Sequence, residues 1–176
     1  SLPAEDGRDL EFAQQGFIAT RADPIIRAKD GRPVWNLDAY KWMEGDAPAT
    51  VNPSLWRHMT VLRHHGLYKV TDNIWQVRGF DVSNMTVIKG QTGWILIDPL
   101  TTRETAAAAL ELVNKELGAR PVTGVIYSHS HGDHFGGARG VTTEADIKSG
   151  KVAIIAPAQF IEETASENVM AGAAMG

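Results

Sequence analysis

Two different patterns of apolar and polar positions divide the chain. Up to about Gly66 the pattern is irregular and polar, broken at Pro24, Pro33, Pro48 and Pro53. Helical spacing fits residues 8–16, 37–44 and 53–65. The last is the best marked, with Asn52 as a cap, Pro53 at the first helical position and Gly66 as the stop. From Leu67 the pattern turns to strands, predicted at 67–70, 74–78, 85–89 and 94–98, with turn residues at 71–73, 79–84 and 90–93. A helix follows over 101–117, where Thr101 and Glu104 fit a capping box and Gly118 fits the stop. Further strands are predicted at 121–128 and 151–155, and a closing helix at 158–171.

Antiparallel strands followed by strand–helix–strand imply an α/β fold, a mixed sheet covered by helices. The strand ending at Asp98 and the strand ending at Ser128 are expected to be parallel neighbours. Ligand sites in such sheets lie beyond the carboxyl ends of strands, so Asp98 and the segment after Ser128 mark the place to look.

Composition narrows the chemistry. The 176 residues carry 17 Lys and Arg against 21 Asp and Glu, a net charge of −4, and 43% are apolar. That is the balance of a globular domain. With no basic cluster, no nucleic-acid partner is expected. The chain has no cysteine, so disulfides, iron–sulfur clusters and thiol nucleophiles are excluded, and any metal must be held by nitrogen and oxygen. No apolar run approaches the ~20 residues of a membrane span.

One string concentrates the chemistry: His129-Ser130-His131-Gly132-Asp133-His134-Phe135-Gly136-Gly137. Two histidines two apart in extended chain project to the same side and can chelate one ion. Asp133 and His134 lie where the chain is expected to turn into a helix, and so can hold a second. A helix N-terminus near Asp133 would favour its charge, and the glycines allow close backbone approach. Asp98 is a candidate for orienting this loop from the neighbouring strand end. Arg78 and Asn84 flank a loop that could cover the metals and are candidate substrate contacts. His58, His64 and His65, at or near the end of the 53–65 helix, fit solvated or capping roles. Trp35, Trp42 and Trp56 fit either an apolar path for a ligand or packing of the N-terminal segment.

An H-x-H-x-D-H string after a strand resembles the metallo-β-lactamase superfold. Its flanks are similar more narrowly to the alkyl sulfatases of that superfamily: residues 30–43 (DGRPVWNLDAYKWM), 51–57 (VNPSLWR), 66–100 (GLYKVTDNIWQVRGFDVSNMTVIKGQTGWILIDPL), 129–141 (HSHGDHFGGARGV) and 166–175 (SENVMAGAAM). The histidine string alone specifies only the superfold, which also holds lactonases, thioesterases and nucleases.

The resemblance implies the first half of an αββα sandwich over 67–176, preceded by an irregular helical extension over 1–66 that packs on it. It implies two zinc ions, the first on His129 and His131, the second on Asp133 and His134, with Asp133 also catalytic. The implied reaction is hydrolysis of an alkyl sulfate ester to alcohol and sulfate by a metal-activated water. The alternatives are another hydrolase of the superfold or a non-catalytic metal-binding fragment. Four ligands over two ions are too few, so a longer natural polypeptide is expected to supply the rest. The family adds the expectation of a homodimer, and a periplasmic or secreted location is expected over a cytoplasmic one.

Overall fold

A computed structural model describes residues 7–175, so residues 1–6 of the expected extension lie outside it. Helix α1 (Arg8–Gln14) leads into strand β1 (Phe17–Ala19), the hairpin β2 (Ile25–Arg27) and β3 (Pro33–Asn36), and helix α2 (Pro53–Leu62). Four strands follow: β4 (Gly66–Thr71), β5 (Ile74–Arg78), β6 (Met85–Lys89) and β7 (Trp94–Ile97). Helix α3 (Arg103–Leu117) then crosses to β8 (Val122–Ile126). A single turn α4 (Gly132–Phe135), a 3₁₀ turn (Gly136–Gly140), α5 (Glu144–Lys148), β9 (Ala153–Ile155) and α6 (Phe160–Met175) complete the chain.

The main sheet runs β1-β4-β5-β6-β7-β8-β9, antiparallel from β1 to β7 and parallel from β7 to β9. This is the mixed sheet that the order of elements implies. Alternation in β5, β6 and β7 buries Trp75, Val77, Met85, Val87, Trp94 and Leu96 on one face. Helix α3 supplies the opposing surface with Ala106, Ala109, Leu112 and Val113, at the spacing of one helical stripe. Its alanines let the helix lie close to the sheet. Each fully buried large side chain contributes roughly 1.5–3 kcal/mol. Trp94 anchors the contact: its indole meets Trp75 edge-on with centroids 5.9 Å apart, and its N–H donates to Asn114 Oδ1 at 2.8 Å.

Three details differ from the sequence expectations. Residues 37–44 form successive turns rather than a helix; Asn36 Oδ1 accepts from Asp38 N at 3.0 Å, a local bond that competes with helical pairing. The α3 cap is Thr102, and its reciprocal partner is Thr105 rather than Glu104. The cap moves by one residue because the Thr105 hydroxyl is drawn inward to the buried carboxylate of Asp81, 2.7 Å away. The N-terminal segment also carries strands that its polar pattern conceals, and β1 joins the sheet beside β4.

Hydrogen-bonded indoles order that segment, one within it and one reaching the end of β5. Trp35 donates to Gly79 O at 3.2 Å, and buried Trp56 donates to Gly45 O at 3.0 Å. Trp42 rests its edge on Trp56 and stays 67% exposed, so packing accounts for Trp35 and Trp56 but not for Trp42. His65 ties the segment inward, its Nδ1 2.8 Å from Thr20 Oγ1 and its Nε2 3.3 Å from Asp38 Oδ1. Among the described residues no helix is long and apolar enough to cross a membrane.

Candidate metal centre

The parallel pair β7 and β8 ends at Ile97 and Ile126, and both candidate segments leave the sheet there. Asp98 extends the pairing by one bond, donating its N–H to Ile126 O at 2.9 Å. The chain then turns sharply, with Asp98 at φ 56° and Leu100 at φ 64°. Aspartate tolerates the left-handed region; for Leu100 it costs about 1–2 kcal/mol. Complete burial of Leu100 offsets that strain.

The turn delivers the Asp98 carboxylate, itself buried, to the start of the histidine loop. Its Oδ1 accepts from Ser128 N at 2.8 Å; its Oδ2 accepts from Ser128 Oγ at 2.6 Å and lies 3.0 Å from His134 Nδ1. These contacts fix where the protons sit. His134 has a carboxylate on each side, Asp98 Oδ2 3.0 Å from Nδ1 and Asp133 Oδ2 3.3 Å from Nε2; the shorter contact favours the proton on Nδ1 and turns Nε2 toward Asp133. Ser128 spends its proton on Asp98, so His129 Nδ1, 2.9 Å from Ser128 Oγ, must donate to it. His129 is left with a free Nε2.

The rings converge. The centroid of His129 is 4.7 Å from that of His131 and 4.1 Å from that of His134. Asp133 Oδ2 is 3.3 Å from His134 Nε2. One ligand atom each from Asp98, His129 and His134 lies within 4.8 Å of the others. Imidazole nitrogens with fixed tautomers beside carboxylates fit a borderline divalent cation. Asp98 shares the cluster by distance, and its oxygens already face three donors, Ser128 N, Ser128 Oγ and His134 Nδ1. The structure therefore brings Asp98, His129 and His134 within reach of one ion, with His131 beside His129 and Asp133 beside His134.

Two supports of this site carry no signal strong enough to be found in the sequence. Ser83 Oγ donates to Asp133 O at 2.5 Å, tying the loop between β5 and β6 to the metal loop. Buried Asp81 holds Ser83 in turn, accepting from Ser83 N at 3.0 Å, Thr101 N at 2.8 Å and Thr105 Oγ1 at 2.7 Å. The D-x-S spacing at 81–83 is the one hint of this turn. On the far side, Gly137 N donates to Leu100 O at 2.9 Å, and the glycines let the 3₁₀ turn lie against the β7–α3 connection. The helix expected from Asp133 is only the single turn α4, so its dipole contributes little.

Arg78 and Asn84 are brought together elsewhere. They line a cleft of about 760 Å³ with Phe12, His58, Leu62 and His64, and no metal-loop residue is among its walls. Arg78 is already engaged, its Nε donating to Gln76 Oε1 at 3.0 Å and its guanidinium 4.6 Å above the Tyr68 ring. In this cleft burial holds His64 below the usual imidazole range, aided by the charges of Arg63 and His65. A histidine harder to protonate folded than unfolded stabilises the fold above its unfolded pKa of about 6.5, and that contribution is lost as pH falls through the lowered folded value. The thermal midpoint is expected to fall less steeply with acidification in His64→Gln than in the parent; parallel profiles would show that His64 does not contribute.

The chain is 51% identical over 175 residues to the alkyl/aryl-sulfatase BDS1 of Saccharomyces cerevisiae, covering 99% of this chain and 27% of that protein. It is 48% identical over 176 residues to a linear primary-alkylsulfatase of a Pseudomonas species, covering 99% of this chain and 26% of the relative. The solved structure of the stereoselective inverting sec-alkylsulfatase Pisa1 from Pseudomonas superposes with a TM-score of 0.92 at 48% identity, over 99% of this chain and 28% of that one. The chain thus spans about a quarter of the length of these relatives. The model of the metallo-beta-lactamase superfamily matches residues 78–173, from the end of β5 through the metal loop into α6, and the chain belongs to that superfamily.

Proposed function

We propose that this chain forms the metal-loop part of a zinc-dependent alkyl sulfatase, which consumes one water to cleave an alkyl sulfate ester into alcohol and sulfate. The observation that most supports this reading is the 48% identity and TM-score of 0.92 to a sec-alkylsulfatase over 99% of the chain. In the proposal His129 and His131 hold one zinc, and Asp133 and His134 the other. When bound, the metal supplies Lewis acidity toward the sulfate oxygens and an activated water. The chain's own residues do the rest. Asp98 locks the His134 ring and Ser128, Ser128 locks His129, and Ser83 steadies the backbone of Asp133, which orients the attacking water. Arg78 and Asn84 flank the loop whose Ser83 bonds Asp133 O, and they are the candidate substrate contacts of this reading.

Catalytic zinc sites use three protein ligands per ion, so the activity is assigned to the longer polypeptide that carries this chain. The test is an assay of that polypeptide on primary and secondary alkyl sulfates, lactones and thioesters. Sulfate release that is lost on chelation and restored by zinc is the expected result. Preference for a lactone or thioester would overturn the sulfatase reading.

A further inference from the structure

We propose that Glu167 on α6 is a positioning residue for His131, fixing which ring nitrogen this histidine offers to metal. The inference rests on the metal reading above. Helix α6 docks against the loop along one stripe, Phe160, Thr164 and Glu167. Phe160 stacks on Tyr127 at 5.4 Å and meets Phe135 edge-on at 5.1 Å, and Thr164 Oγ1 reaches Ser130 O at 3.4 Å. One turn further, the Glu167 carboxylate spans two consecutive loop residues. Its Oε2 accepts from Ser130 Oγ at 3.0 Å, and its Oε1 lies 3.3 Å from His131 Nε2.

A carboxylate facing Nε2 favours the proton there and leaves the lone pair on Nδ1. His129 has the opposite arrangement, because Ser128 Oγ faces its Nδ1, and His134 has Asp98 nearer at Nδ1, 3.0 Å, than Asp133 at Nε2, 3.3 Å. The two histidines of the H-x-H pair would then present different nitrogens, each set by its own oxygen partner. His131 is the exposed histidine of the three, and among the described residues no other side-chain oxygen bonds its ring. Without Glu167 its tautomer and its rotation are both unfixed.

The test compares Glu167→Ala, Glu167→Gln, Thr164→Val and His129→Ala in the full polypeptide that carries this chain, reading zinc affinity by chelator competition and the thermal midpoint without metal. Glu167→Ala is expected to weaken the affinity for one zinc by roughly 10–100-fold. Glu167→Gln, whose amide oxygen still accepts from Nε2–H, is expected to restore part of that loss. Thr164→Val, which removes the hydroxyl beside Ser130 O and keeps the Glu167 carboxylate, is expected to leave affinity unchanged. Loss of equal size in Thr164→Val would reduce Glu167 to packing and overturn the proposal. So would unchanged affinity in Glu167→Ala while His129→Ala loses zinc, an outcome that leaves the metal reading standing. A parent protein that binds no zinc overturns both. If the alanine variant does not fold, the isosteric glutamine variant decides: a partial loss of zinc affinity with metal-free folding intact and Thr164→Val unchanged supports the role, and affinity equal to that of Thr164→Val overturns it.

Discussion

Asp98→Asn is expected to weaken zinc binding by roughly 10–100-fold and to destabilise the fold by about 3 kcal/mol. Asparagine keeps the size of the side chain and tolerates the left-handed backbone at φ 56°, so neither shape nor strain is the cause. The cause is the count of acceptors. Asp98 faces three donors: Ser128 N, Ser128 Oγ and His134 Nδ1. An amide offers one oxygen and turns an N–H₂ toward groups that themselves donate. Whichever way it flips, at least one buried donor is left facing another, and Ser128 loses the acceptor that orders its hydroxyl toward His129. Both histidine tautomers then come loose from one substitution. Denaturant titration and chelator competition on the same preparation check the two halves. An asparagine variant with undiminished zinc affinity would show that Asp98 only closes the end of a strand.

Gly137→Ala is expected to cost more than about 4 kcal/mol, a size seen only for severe overpacking or its equivalents. A Cβ built there would sit 2.1 Å from Pro99 O, 2.7 Å from Thr102 O and 2.8 Å from Ala106 Cβ. Two of these atoms are backbone of the turn that presents Asp98 and caps α3, and they have no rotamer by which to yield. Relief requires the 3₁₀ turn to lift away, breaking the bond from Gly137 N to Leu100 O. Gly132 is the internal control, because a Cβ there meets nothing within 4 Å. Gly132→Ala is expected to stay within about 0.5 kcal/mol of the parent, although it is closer to the histidines. Equal stabilities for the two variants would refute the close-approach account.

The difference between these glycines was not legible in the sequence, where both are simply part of a polar loop. What sequence did carry was local or periodic. Alternation located β5, β6 and β7, the Asn52-Pro53 pair located the start of α2, and the histidine spacing located the metal loop at the end of β8. What it hid was set by partners far along the chain. Strand β1 is short and gains its identity from pairing with β4. Thr105 outcompetes Glu104 in the cap because Asp81 lies across from it. Ser83 and Glu167 touch the metal loop from separate elements, and neither stands in a pattern that points there. Asp98 was visible as a strand-end carboxylate beside the site, whereas its three donors required the parallel register of β7 and β8.

That register has a kinetic consequence. Strands β4 to β7 pair with their immediate neighbours in sequence across the short loops at 72–73, 79–84 and 90–93, so loop closure opposes their assembly least. β8 cannot join until α3 has crossed the sheet, and β1 must be carried back to β4 past the whole of α2 and the β2–β3 hairpin. The oxygens that set the histidine tautomers come from both sides of the α3 crossing, since Asp98 precedes it and Ser128 follows it. A metal-competent loop therefore forms only after the slow, parallel part of the sheet has closed. Under the proposed zinc reading, uptake of the metal in a refolding experiment is expected to lag the burial of Trp75 and Trp94 seen by fluorescence.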